Sequence, residues 1–149
     1  MRVDDVIDKL VERFRDEPAL AEVFTYHKVN GILPDIGASL SIGCDKVKYS
    51  DYSNTKDEAE ADINIFLYTQ EADPEFGEKA VRTLAENARW TLTEDQTLDG
   101  LLSSGIVEEI EYIYADAGET MVLHAAVIHY KAVFYQERRR PKESTAPVG

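Results

Sequence analysis

"DQTLDGLLSSGIVEEIEYIYADAG", residues 95–118, is where the chain turns from helix to sheet. Leu98, Leu101 and Leu102 form a short apolar turn or helix, Ser103 to Gly105 breaks it, and Ile106 to Tyr114 then reads as a strand with one charged side. Residues 116–119 fit a hairpin turn around Gly118, after which Met121 to about Tyr135 forms a second, long strand. Both faces of that strand carry apolar residues, as expected inside a sheet or at a subunit contact.

Upstream, Asp73-Pro74-Glu75 is a helix start: a carboxylate cap, proline at the first helical position and an acid near the positive helix end. The helix runs to about Leu92 and buries Val81, Leu84, Ala85, Ala88 and Leu92, with Trp90 at the flank. Before it, Ala61, Ile63, Ile65 and Leu67 alternate with Asp62, Asn64, Phe66 and Tyr68, a strand pattern. A further strand begins at Ile36, with Ala38, Leu40 and Ile42 on one face and Gly37, Ser39, Ser41 and Gly43 on the other, a nearly bare side expected to face solvent or a close neighbour. Residues 45–59 are polar, anchored by Val47, Tyr49 and Tyr52, and read as a strand end followed by a mobile loop. At the start, Val3, Val6, Ile7, Leu10, Val11 and Phe14 define an amphipathic helix stopped by Glu17-Pro18. Residues 19–35 show turn signals at Asn30-Gly31 and Leu33-Pro34 and no clear period.

The order is helix, two strands, helix, two strands. It predicts an α+β fold, an antiparallel or mixed sheet of about four main strands with two principal helices packed on one side. A single domain over residues 1–140 suits the length of 149 residues, with 141–149 a flexible, proline-broken tail.

Twenty-nine acidic against sixteen basic side chains leave a net charge of −13, which repels phosphate backbones and disfavours duplex binding. No apolar run is long enough for a bilayer, and the acidic, amphipathic N-terminus is unlike a signal peptide, so a cytoplasmic site of synthesis is expected. Acid gathers at Asp57, Glu58, Glu60 and Asp62, and base at Arg138, Arg139, Arg140 and Lys142; clusters of this kind are ordinarily solvated surface.

Candidates for chemistry are few. The single cysteine, Cys44, excludes an internal disulfide and a multi-cysteine zinc site. His124 and His129 fall on opposite faces of one strand and cannot share a metal, and His27 stands apart. No nucleophile is paired with a base, and no phosphate loop, dinucleotide fingerprint, metalloprotease motif or calcium loop occurs. The expectation is a protein with no catalytic residues, no cofactor and no bound metal. Tyr49, Tyr52, Tyr112, Tyr114, Tyr130 and Tyr135 fall in or beside strands, where tyrosine serves an interface or a half-buried sheet equally well.

With the capped helix ending near Leu92, the box of Asp95, Thr97, Leu98, Gly100, Leu101 and Leu102, the strand residues Val107 and Ile110 and the long closing strand, the chain resembles the tail terminator or tail completion proteins of long-tailed bacteriophages. The likeness spans about residues 3 to 137 and departs at Asp99, where a glycine or other small residue is expected. It implies a structural subunit that closes as a ring, a hexamer, on the tail tube in the virion, ends tube polymerisation and meets the head connector, while DNA passes the lumen without specific binding. Sheet edges and residues 45–59 are then the expected contacts, with Tyr49, Tyr52, Asp57, Glu58, Glu60, Arg138, Arg139 and Arg140 at the interface. Another neck or tail-tube protein, or a small cytoplasmic enzyme or ligand-binding domain using His124 or His129, stays open as an alternative.

Overall fold

The computed structural model describes residues 1–34, 37–116 and 121–140. Helix α1 spans Val3–Arg15 and buries Val6, Ile7, Leu10, Val11 and Phe14, the stripe its three-four spacing dictates. Its first turn is held by Asp5, whose carboxylate accepts the Arg2 N–H at 2.8 Å. A 3-10 turn at Pro18–Leu20 follows. Helix α2 spans Pro74–Glu94 and is capped as expected, the Asp73 carboxylate accepting the N–H groups of Glu75 and Phe76. Its inner face of Val81, Leu84, Ala85, Ala88 and Leu92 is buried, while Trp90 is exposed. Among the described residues no helix is long and apolar enough to cross a membrane.

The fold is α+β, with one mixed sheet of five strands: β1 (Val23–His27), β2 (Ala38–Asp51), β3 (Lys56–Glu71), β4 (Ser104–Asp116) and β5 (Val122–Glu137), in the order β1-β2-β3-β5-β4. All neighbours are antiparallel except β1 and β2, which run parallel. Leu40, Ile42, Ala61, Ile63, Ile65, Leu67, Ala126, Ile128, Ala132 and Phe134 line one face and form a single core with the apolar stripes of both helices. The other face is covered where Ser39, Ser41, Tyr68, Ala125 and Val127 are buried, and open and polar around Glu60, Asp62, Glu109 and Glu111.

Three expectations from sequence need correcting. The sheet has five strands, because β1 lies in the stretch that showed no period. Residues 45–59 are not a mobile loop: β2 continues to Asp51 and β3 starts at Lys56, so most of this stretch is a two-stranded arm closed by a short turn. The bare face of β2 does not face solvent: its small residues let another backbone come close, that of the chain's own segment around Asn30, and Ser39 and Ser41 are fully buried. Gly43 lies under Asn30 so closely that an added Cβ would sit 2.3 Å from the Asn30 Cα, and the Leu33 N–H donates to the Tyr68 hydroxyl at 3.2 Å, itself 3.0 Å from Ser41 Oγ. Of the tyrosines that sequence left between an interface and a half-buried sheet position, Tyr130 is buried in the core. Ile36, the turn at 117–119 and the tail 141–149 lie outside the described residues.

The stretch around residues 95–105 has a structural explanation. Leu98, Asp99 and Gly100 take left-handed backbone angles, with φ of 46°, 57° and 85°. This reversal swings the chain out of α2, and it is held by the Asp95 carboxylate accepting the Asp99 N–H at 2.9 Å and by Thr97 Oγ1 accepting the Gly100 N–H at 3.1 Å. Leu98 and Leu102 are buried as its anchors, and the second carboxylate oxygen of Asp95 lies 3.6 Å from Arg13 of α1.

Candidate functional site

The sequence-derived interface residues fall mostly at the end of the β2–β3 arm. Tyr49 and Tyr52 are exposed, and the Tyr52 ring lies against that of Tyr135 with centroids 4.2 Å apart. Arg138 ties the arm to the end of β5: its guanidinium is 2.9 Å from Asp57 and 3.3 Å from Asp51, and its N–H donates to the Thr55 carbonyl. Glu58 points to the open face opposite Tyr135. Glu60 stands further along β3 and pairs with Lys131 at 3.1 Å, so it belongs to the open face of the sheet rather than to the arm's end. Arg139 and Arg140 are exposed just beyond β5. Exposed ion pairs of this kind contribute little to stability. Their effect is to hold a charged arm end in one shape.

An open sheet has two edges, and both carry apolar side chains here. At the β1 edge, Phe24 is 78% exposed and Phe76 of α2 is 63% exposed, flanking a groove of about 260 Å³ over Ala38, Ala80 and Leu84. At the β4 edge, Ile106, Tyr112, Ile113 and Tyr114 are exposed. Sequence reading singled out the two tyrosines but not Phe24, Phe76, Ile106 or Ile113, because a lone exposed apolar residue reads like any other until topology places it on an edge.

The open face carries a second constellation. Two β-bulges lie on either side of the central strand pair, one between Cys44 and Lys46 in β2 and one between Val107 and Glu109 in β4. Each inserts an extra residue, Asp45 and Glu108, so that consecutive charged side chains are delivered to the open face while Cys44, Val47, Val107 and Ile110 stay against the core. Between the bulges sit Asn64 of β3 and His129 of β5, paired across the strands. Together with Asp45, Asp62, Glu108 and Glu109 they line a concavity of about 390 Å³. Asn30 Nδ2 donates to Asp45 at 2.8 Å, Asn64 Nδ2 donates to Asn30 Oδ1 at 3.2 Å, and hydrogen bonds from Asn64 and Asn30 hold the Asp45 carboxyl below the usual carboxylate range. His129 places Nδ1 at 3.0 Å from Asn64 Oδ1 and Nε2 at 2.5 Å from Glu111 Oε1.

His124 lies on the helix side, buried and edge-on to Tyr114 with ring centroids 6.3 Å apart. The two histidines do occupy opposite faces.

No protein-family model matches the sequence, and no curated protein matches it. Among solved structures, a chain from the virion of a native gene transfer agent particle is similar in fold, with a TM-score of 0.50 and 15% sequence identity over 88% of this chain and 95% of that one. At that identity the likeness is one of fold, followed through nearly the whole of both chains.

Proposed function

We propose that this chain is a structural subunit of a phage-type virion. In the finer reading it closes as a hexameric ring on the end of the tail tube, stops tube growth and offers the surface that meets the head connector. The observation that carries the reading is the fold shared almost end to end with a chain of a gene transfer agent virion. Two features support it. Both sheet edges expose apolar side chains, as a head-to-tail contact between copies needs, and such a contact must close into a ring or run on as a fibre. The open face carries Asp45, Glu58, Glu60, Asp62, Glu108, Glu109 and Glu111, which would give a ring lumen that DNA slides through without sticking. The role is architectural and non-catalytic, and another station in the neck or tail tube would use the same surfaces.

The test is electron microscopy of particles made with and without the protein. Overlong tails that fail to join heads are the expected phenotype of its loss. Tails of normal length that still join heads overturn the terminator reading.

A further inference from the structure

We propose that the open face of the sheet binds one divalent transition-metal ion through His129, Glu109 and Glu111. The inference stands apart from the ring and does not depend on it.

The first ground is the hydrogen bonding of His129. The amide nitrogen of Asn64 is committed to Asn30 Oδ1, at 3.2 Å, and to the Asp45 carboxylate, so its oxygen faces His129 Nδ1 at 3.0 Å and accepts from it. With Nδ1 donating, Nε2 either carries a second proton or presents a lone pair. Nε2 faces Glu111 Oε1 at 2.5 Å, and an ionised carboxylate can only accept. The contact needs a positive centre between the two atoms, either a proton or a metal ion. An imidazole oriented through Nδ1 by an amide oxygen, with Nε2 turned outward, is how histidine ligands are commonly held.

The donor set and its placement are the second ground. The donor atoms of Glu109, Glu111 and His129 lie within 4.8 Å of one another. A zinc ion about 2.0–2.2 Å from each ligand requires them roughly 3–3.5 Å apart. Rotation of the two exposed glutamates closes the difference while the sheet holds His129 still. The adjoining concavity of about 390 Å³ has room for water ligands, and Asp45, Asp62 and Glu108 around it raise the local cation concentration. One imidazole with two carboxylates suits Zn²⁺, Co²⁺ or Ni²⁺ better than Mg²⁺ or Ca²⁺, which take oxygen ligands.

The test uses the full chain carrying Cys44→Ser, so that the lone thiol contributes nothing, with ZnCl₂, CoCl₂ and CaCl₂ as probes at neutral pH. Calorimetry should show one saturable Zn²⁺ per chain, with Ca²⁺ at least about tenfold weaker, and nitrogen-15 spectra of the imidazoles should shift at His129 Nε2. His129→Gln should weaken Zn²⁺ at least about tenfold, and His27→Gln should leave it unchanged. If His129→Gln fails to fold, the double variant Glu109→Gln/Glu111→Gln, at two exposed positions, carries the same expectation. No saturable Zn²⁺ binding into the millimolar range, binding undiminished in either variant, or equal affinity for Ca²⁺ and Zn²⁺ would each overturn the proposal, reducing the cluster to a histidine–carboxylate ion pair.

Discussion

Gly105 lacks a side chain where the Tyr130 hydroxyl needs the space: a Cβ there would stand 1.8 Å from that oxygen. Tyr130 is buried, its hydroxyl has no hydrogen-bond partner among the described residues, and burial pushes its ionisation upward. Two outcomes follow for equilibrium unfolding. Gly105→Ala should cost about 1–3 kcal/mol through overpacking. Tyr130→Phe should leave stability equal or raise it, because an unpaired buried hydroxyl is itself a cost; a loss above about 1 kcal/mol would reveal a partner for that oxygen. Asp45 behaves oppositely. Its folded pKa is depressed, so its contribution is present above the ordinary value of about 3.9 and is lost as pH falls through the lower folded value. Urea midpoints of the parent chain and of Asp45→Asn should therefore differ at neutral pH and converge below about pH 4. A constant gap across that range would mean that the asparagine hydrogen bonds do not act through the ionised carboxylate.

At the scale of elements, α2 is the main support of the sheet, packing on β3, β4 and β5. Leu84→Ala should lower stability by about 2–5 kcal/mol, read from the denaturation midpoint; an unchanged midpoint would mean that the helix does not pack through this stripe. Both helices and their caps were readable because their apolar stripes and the Asp73-Pro74 start each depend on a few adjacent residues. β1 was not, since a five-residue strand with a parallel partner has neither a clear alternation nor a hairpin turn to mark it. The β2–β3 arm escaped for another reason: beyond the core its β2 side chains Lys48, Tyr49, Ser50 and Asp51 are all exposed, and alternation vanishes where neither face is dry. The spacing of Val107 and Ile110, apolar residues three apart in a strand, did carry a signal, because only a bulge lets both face one core. The His129 cluster had none. Glu109 and Glu111 lie 18 or more residues before His129 and meet it only through the antiparallel register of β4 and β5.

For the whole molecule, the proposed ring puts assembly and folding on different residues. Phe24→Glu and Ile106→Glu alter exposed edge positions, so each should change chain stability by less than about 0.5 kcal/mol. Either should nevertheless abolish ring or tail-end assembly, seen by electron microscopy and particle sizing. Normal assembly in both variants would remove the sheet edges from the contact and leave the arm with Tyr49 and Tyr52 as the surface to test.

Among the described residues β5 is the last strand, yet it lies inside the sheet, between β3 and β4. During synthesis on the ribosome, β1, β2, β3 and α2 emerge with the β3 edge unpaired, and β4 arrives with no strand to join. Pairings such as Ala59 with Phe134 then close over a long stretch of chain, which slows the final step. Until that strand threads into place, the nascent chain offers a long β edge to its neighbours. Chains ending before residue 121 should collect as aggregates, and the growing protein should need chaperone cover until its last strand has left the exit tunnel.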